Sequence, residues 1–589
     1  MGCDMIKKNY RKKWVLMEVK IVQENPQREI VIEKQTETDG VLFIHIKMKQ
    51  PKEEIPQPFS LEWKFPAKDC YSVWNPNLRT RELGPNWSKR KTTSSLSAWM
   101  PLHSVISLQG KNRMTIALSD AHTPVSIATG ICEEDACVEC NITFFTSSVA
   151  PLTEYGAVVR LDTRDIAYYD SIYDVVSWWE QECGYVPNDV PEYAKHPVNS
   201  LWYSYHQNLD VEDIIKECKL SKAIGLDTVI VDDGWQTDDN NRGYDFCGDW
   251  EVATSKIPDM KEFVQRVHDT GMKMMLWYSL PFVGIKSKNY ERFRDMLLDG
   301  TGNNQTYWCL DPRYKQVREF LIQTFRNALA EWDADGLKLD FISMYLLSGA
   351  SLRYDPRRDY QSLEDAIDVL MTDITKALKE IKKDVLIEFR QAYIGPAIRK
   401  YGNMLRVHDC PNDAIINRKN IVDMRFTSGA TPVHSDMLMW NEEDSVESAA
   451  IQLASVLYSV PQISMKLQRM NPDHKKMLQF YLAFWKTNRD TLLNGKIVAQ
   501  NPESWYSIVC AKKGDTSIYT AYTDCLIEGS GEKELIAVNA TRYQELLFKN
   551  LKDRPYQVVN CMGEELEQGL LESNLTAIRV PLGGMVFIA

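Results

Sequence analysis

The 589-residue chain has no run close to the roughly 18 consecutive apolar residues that a membrane-spanning helix needs. Its opening stretch, "MGCDMIKKNYRKKWVLMEV", is basic but carries no apolar segment behind the charges, so no signal peptide is expected. The sixth residue is Ile6 rather than Ser or Thr, which removes a myristoylation motif. Positive charge is also in short supply. A formal net charge of −12 argues against nucleic acid or an anionic membrane as partner. The 13 cysteines are odd in number and scattered, which fits a reduced cytoplasmic protein better than a disulfide framework. The tightest group, "CEEDACVEC" (Cys132, Cys137, Cys140), lacks a fourth ligand or a nearby histidine. His206, His408 and His434 do not fall at metal-binding spacings, so neither a metal nor a cofactor is expected. No low-complexity stretch or internal repeat is visible.

The chain is too long for one ordinary core, and three regimes can be read along it. Residues 1–185 are β in character: "REIVIEKQ", "GVLFIHIKMK", "MTIALSD" and "CNITFFTS" are short β-branched or aromatic runs between turn residues, as in a large antiparallel sandwich. The first long amphipathic segment, "YDSIYDVVSWWEQEC", bridges into the second regime. Over 186–495 strands and helices alternate. The strands are 200–207, 227–235, 272–280, 335–342, 385–393, 403–410, 430–438 and 459–465, and several helices between them end at glycine. Eight such units in about 300 residues indicate a (β/α)8 barrel. An open doubly wound sheet is the competitor, but no glycine-rich phosphate loop follows the first strand. Residues 496–589 return to β ("SWYSIVCA", "TSIYTAYT", "KELIAVNA") and suffice for a small closing antiparallel sandwich.

In such a barrel the chemistry gathers at the C-terminal ends of the strands. Here strand two runs into Asp232, Asp233, Gly234 and Trp235; strand three ends in Trp277, Tyr278 and Ser279; strand four carries Lys338 and Asp340. Strand five ends with Glu388, Arg390 and Gln391, strand six with Arg406, His408 and Asp409, and strand seven with His434, Ser435 and Asp436. Taken singly, Asp232 and Asp233 read equally well as caps of the following loop and Lys338 with Asp340 as a buried structural pair, while His434 reads better as a hydrogen-bonded core histidine than as a ligand. Six strands with polar ends indicate a site.

Carboxylates, cations and aromatics without a metal suit a neutral polyol, since charged groups grip hydroxyls and ring faces pack on C–H surfaces. Two carboxylates are the minimum for glycoside cleavage, one attacking or activating water and one protonating the leaving oxygen. In the strand "DGLKLDF", Lys338 and Asp340 share a face, and the ammonium is expected to lower the pKa of the nucleophile Asp340. The acid partner should face it from another strand with a raised pKa; Asp409 is the choice, with Asp413 and Asp436 in reserve.

The stretch "VIVDDGWQ…GDWEVATSKIPDMKEF", then "FVQRVHDTGMKMMLWYSLPFV" and "DGLKLDF", resembles glycoside hydrolase family 36, the α-galactosidases and α-N-acetylgalactosaminidases of clan D. The order β-domain, barrel, β-domain agrees, and "VWNPNLRTRELGPNW" and "GKNRMTIALSDA" look like that family's large sandwich. The resemblance implies that Asp340 is the nucleophile of a double displacement retaining α configuration and that Lys338 binds a ring hydroxyl. It further implies that Asp232 and Asp233 grip the axial O4 and the O6 side of a galactose-type sugar. Trp235, Trp250 and Trp277 would wall the pocket, Asp409 would be the acid/base, and Arg406 would place it or bind O2. Two departures stand out. The family's stretch beginning Cys-Ser-Gly-Gly after strand five is replaced by "IEFRQAYIGP", leaving Arg390 or Gln391 to meet the 2-substituent. The acid motif, Ser-Asp-x-x-Asp in the family, reads from His408 to Asp413 and is one residue longer.

The expectation is therefore a cofactor-free retaining exo-α-galactosidase acting on an oligosaccharide or glycoside, with an α-N-acetylgalactosaminidase as the nearest alternative. A Schiff-base lyase through Lys338 and a non-catalytic carbohydrate-binding protein are the alternatives of other classes. A homo-oligomer is compatible with the resemblance, but no interface can be read in the sequence.

Overall fold

The computed structural model describes residues 18–25, 27–299 and 306–589; the expectations attached to the first 17 residues lie outside this range. Two antiparallel sheets stand ahead of the barrel. One runs Lys20–Gln23, Phe59–Pro66, Cys137–Phe144, Val125–Cys132, Arg90–Ser94; the other runs Glu29–Thr38, Val41–Glu54, Leu152–Asp162, Asn112–Leu118, Leu102–Ile106, Ser72–Trp74. Period-two burial explains why they face each other. Along Cys137–Phe144, Val138, Cys140, Ile142 and Phe144 are buried while their neighbours are half-buried. They join Ile44, Ile46, Met48, Leu61 and Trp63 in one core. The longest hairpin turns at Asp39-Gly40, both with positive φ (50° and 81°), as a two-residue connection between twisted strands requires.

The bridging helix, Tyr168–Gln181, buries Ile172, Val175, Trp178 and Trp179 at helical spacing. It packs on the strand Asn112–Leu118 and on the barrel helix Ala414–Thr427. The barrel is closed by eight parallel strands: β1 (Val198–Ser200), β2 (Thr228–Val231), β3 (Lys273–Ser279), β4 (Gly336–Asp340), β5 (Leu386–Arg390), β6 (Met404–Arg406), β7 (Val433–Leu438) and β8 (Val460–Ile463). The register pairs Ser279 with Asp340, Lys338 with Glu388, and Arg390 with Arg406, which brings the polar strand ends together at one mouth.

The first strand is shorter than its aromatic sequence suggests. It stops at Ser200, and 202–205 form one helical turn, which swings Tyr203 back toward the barrel. A small antiparallel sheet (Phe282–Gly284, Leu297–Leu298, Tyr307–Leu310), unexpected from the sequence, follows β3. The helix Pro472–Asn494 leads to a seven-stranded sheet and a three-stranded sheet that end the chain. Among the described residues no helix is long and apolar enough to cross a membrane.

A buried ionic hub joins the three regions. Asp423, on the helix Ala414–Thr427, accepts from Arg81 (2.6 and 2.7 Å) and Trp74 Nε1 (3.0 Å) of the first sandwich, and from Tyr506, between the strands Lys496–Gln500 and Ile508–Lys513 of the seven-stranded sheet. Lys419, one turn earlier on the same helix, lies 3.0 Å away.

Candidate active site

Each β-strand supplies inward side chains at every second residue, so Lys338 and Asp340 both enter the barrel mouth from β4. They do not share one partner. Lys338 Nζ donates to Asp232 Oδ2 at the end of β2 (2.6 Å), and both side chains are buried. Asp340 is held by four donors. Its Oδ1 accepts from the Phe341 N–H (2.8 Å), Arg390 Nε (2.5 Å) and Tyr393 Oη (3.0 Å); its Oδ2 accepts from Trp277 Nε1 (3.1 Å).

Burial alone would push the Asp340 carboxyl up. The charge of Arg390, then that of Lys338, outweighs burial and the opposing charge of Asp409, and holds the group below the usual range. The expected direction is found. Its foremost cationic cause is the strand-five arginine rather than the lysine two residues away.

Asp232 and Asp233 sit on the turn after β2. Gly234 there adopts φ 115°, and a Cβ at that position would lie 2.6 Å from the Cα of Gln207. The glycine thus lets the Gln207 backbone approach, and Gln207 Nε2 donates to Asp233 Oδ2 (2.8 Å) while Gln236 Nε2 donates to Oδ1 (2.6 Å). Burial, helped by the charge of Asp232 and opposed by these bonds, pushes Asp233 up to about 6.

Arg406, at the end of β6, is fully buried among carboxylates. Its Nη1 lies 2.6 Å from Asp436, its Nη2 lies 2.8 Å from Asp409, and its Nε lies 3.7 Å from Glu388. Asp436 also accepts from the Cys410 N–H (2.6 Å) and Tyr203 Oη (3.0 Å). Burial raises Asp436 and Glu388 despite Arg406.

Asp409 behaves in the opposite way. Although burial acts upward, Arg406, Arg390 and Lys338 together hold it well below the usual carboxylate range. The sequence predicts an acid partner with a raised pKa at this position. The structure gives a carboxylate kept ionised by a bonded guanidinium, with its side chain 44 % exposed at the mouth.

The aromatic wall is layered. Trp277 touches Asp340, Trp250 packs edge-on against it (centroids 6.0 Å apart), and Trp235 lies behind both with no exposed surface, its Nε1 donating to the Trp277 carbonyl (2.9 Å). Trp235 therefore supports the wall from behind. Asp413 stands apart from the cluster: it is exposed, and its carboxylate caps the helix Ala414–Thr427 by accepting from the Ile416 N–H (2.9 Å). Arg390, read from the sequence as a group meeting the 2-substituent, has its Nε engaged by Asp340.

Tyr393, Tyr203, Gln207 and Gln236 were not legible as site residues. Tyr203, Gln207 and Tyr393 all fall in stretches that read as strand (200–207 and 385–393), but the strands end at Ser200 and Arg390, leaving Tyr203 in a helical turn and Gln207 and Tyr393 in loops. Only the polar density of "HQ" and "WQ" beside the strand ends marked the glutamines.

Residues 193–407 match the melibiase family model. The bifunctional α-galactosidase/sucrose kinase AgaSK of Mediterraneibacter gnavus is 28 % identical over 167 residues, covering 27 % of this chain and 17 % of that protein. Alpha-galactosidase 1 of Pediococcus pentosaceus is 28 % identical over 145 residues, covering 23 % and 19 %. The chain thus spans less than a fifth of the length of these curated relatives. In fold the likeness is much longer. The family 36 α-galactosidase AgaA of Geobacillus stearothermophilus superposes with a TM-score of 0.63 at 13 % identity, over 93 % of this chain and 79 % of that one. An α-galactosidase from Lactobacillus brevis gives 0.64 at 14 % identity, over 97 % and 84 %. Other structures of the Geobacillus enzyme hold raffinose or stachyose. By its barrel sequence and by the fold of nearly its whole length, this chain is similar to the melibiases, the α-galactosidases of glycoside hydrolase family 36.

Proposed function

We propose that the protein is a retaining, exo-acting α-galactosidase that releases terminal α-linked galactose from oligosaccharides in a reduced cytoplasm, without a cofactor. The single observation that carries this is Asp340. It is a carboxylate kept charged at the C-terminal end of β4, with a second carboxylate, Asp409, open to solvent at the end of β6. The melibiase match over the barrel supports the choice of sugar. The buried Asp232–Lys338 pair offers charged acceptors and donors for ring hydroxyls, and Trp277 and Trp250 offer apolar faces. Trp250 Nε1 is buried and has no hydrogen-bond partner among the described residues.

The chemistry balances over two steps. A lone pair of Asp340 forms a bond to the anomeric carbon as the glycosidic C–O bond breaks, and the departing oxygen takes a proton from Asp409. Water then gives its proton to the Asp409 carboxylate and attacks the same carbon, and the bond to Asp340 breaks with its electron pair returning to the carboxylate. Arg406 favours the second step, since it keeps Asp409 ready as a base. The first step requires Asp409 to be loaded with a proton against that same charge.

The test is release of p-nitrophenol from the α-galactoside, α-N-acetylgalactosaminide, α-glucoside and β-galactoside, with Asp340→Asn alongside. Turnover of the α-galactoside that is lost in the variant is expected. Preference for the α-N-acetylgalactosaminide would move the assignment to the other sugar, and a silent panel would remove it.

A further inference from the structure

The two oxygens of Asp340 are not equivalent, and the residues responsible come from the end of β5 and the loop that follows it. We propose that Arg390 and Tyr393 are positioning residues that clamp Oδ1 of Asp340 and thereby select Oδ2 as the atom that attacks the anomeric carbon. The inference rests on the retaining reaction proposed above.

Oδ1 accepts from three donors, the Phe341 N–H, Arg390 Nε and Tyr393 Oη, whereas among the described residues Oδ2 accepts only from Trp277 Nε1. A carboxylate oxygen offers about two lone-pair directions. Three donors occupy those of Oδ1, and Oδ2 keeps one free for bond formation. The clamp is itself fixed. Arg390 Nη1 donates to the Gln391 carbonyl (3.2 Å), and the guanidinium lies over the Phe341 ring at 5.0 Å. Tyr393 is buried, and its one hydroxyl proton has two acceptors 3.0 Å away, the Leu339 carbonyl and Asp340 Oδ1, of which the charged carboxylate is the stronger. Neither side chain is free to follow a substrate. Both belong to "RQAYIGP", which runs from the last residue of β5 into the loop after it, so one short segment supplies the support for the nucleophile.

The consequence is asymmetric between the two steps. In the glycosyl-enzyme Oδ2 is esterified and Oδ1 becomes a carbonyl oxygen. When water attacks and the C–Oδ2 bond breaks, negative charge returns to the carboxylate, and the bonds from Arg390 and Tyr393 strengthen as it does so. The clamp makes Asp340 a better leaving group. In the first step the same donors stabilise the ground-state carboxylate and assist less.

The test uses the full-length protein with p-nitrophenyl α-galactoside, comparing Tyr393→Phe, Arg390→Met and Arg390→Lys with the unaltered chain. Thermal melts verify that each is folded. If the clamp acts as described, kcat falls about 10- to 100-fold in Tyr393→Phe and Arg390→Met. KM falls with it while kcat/KM changes less, and intact-mass spectrometry finds the galactosyl adduct accumulating on the Asp340 peptide. The acidic limb of the kcat/KM profile, which reports the free enzyme, moves upward in Arg390→Met and returns toward its original position in Arg390→Lys. That limb reports Asp340 amid every group facing it: Lys338 on its own strand, Arg390 and Tyr393 from β5 and its loop, Arg406 and Asp409 from β6 and its loop, and Tyr244 from the β2 loop. A fall in kcat at constant KM, with no adduct and an unmoved limb, overturns the clamp while leaving the galactosidase reading intact. Absence of turnover and of any adduct in the unaltered chain removes both.

Discussion

Replacing Asp423 by asparagine keeps the shape of the side chain and removes one negative charge from the centre of the three-region hub. Arg81 and Asp423 are essentially without exposed surface, and Lys419 beside them is buried too. The variant leaves two cations facing an amide, with no route to water. Removing one member of a buried ion pair costs about 3–5 kcal/mol, because the remaining charge keeps its desolvation penalty and loses its compensation. For units of 150–250 residues each kcal/mol moves the melting midpoint by about 2–4 °C. A loss of about 6–20 °C is therefore expected by differential scanning calorimetry. The loss should also be visible as earlier proteolysis at the junction between the helix Ala414–Thr427 and its two β neighbours, since Trp74, Arg81 and Tyr506 then share a neutral acceptor and Arg81 loses its second oxygen to an NH2 donor. Adding Arg81→Met, which removes one stranded cation, should recover part of the loss, and the double-mutant cycle should give a coupling above about 1 kcal/mol. A single variant melting within about 2 °C of the parent, or strictly additive behaviour in the cycle, would refute the account of this hub.

Two further outcomes are expected from the charges at the two ends of the barrel. Because Arg406 holds Asp409 ionised, substrates whose leaving group needs a proton should lose kcat/KM faster as pH rises than p-nitrophenyl α-galactoside does; parallel pH profiles for raffinose and the aryl substrate would count against Asp409 as the acid. At the opposite end, Asp335 accepts from His268 Nε2 (2.7 Å), Lys273 Nζ (2.9 Å) and the Met274 N–H (2.9 Å). These bonds overcome burial and hold it well below the usual range. A depressed carboxylate contributes stability that is present above its unfolded value, near about 3.9, and lost as pH falls through the folded value. Asp335→Asn should thus lower the melting midpoint at neutral pH and converge on the parent as pH falls below about 3, and a pH-independent difference in circular-dichroism melts would contradict the assignment.

Much of this was legible in the residues. Strand parity put Lys338 and Asp340 on one face, and alternation of strand and helix announced the barrel. Polar residues at six strand ends located its mouth. These are local or periodic properties, set by the two-residue repeat of a strand and by helix punctuation, and they need no knowledge of neighbours. What pairs with what is different in kind. That Lys338 bonds Asp232 rather than serving Asp340 first depends on how β2, β3 and β4 are staggered in the closed barrel. That Arg390 and Tyr393 clamp Asp340 depends on the path of the loop after β5. That Asp409 is kept ionised depends on Arg406 lying 2.8 Å away, and that Asp413 caps a helix depends on where that helix begins. A pKa is set by the distances to other charges and by access to water, and neither quantity exists along a chain until it closes on itself. The sequence by itself therefore determined the barrel, its flanking sheets and the carboxylates that could react. The tertiary structure decided which of them are charged, which are held, and by what.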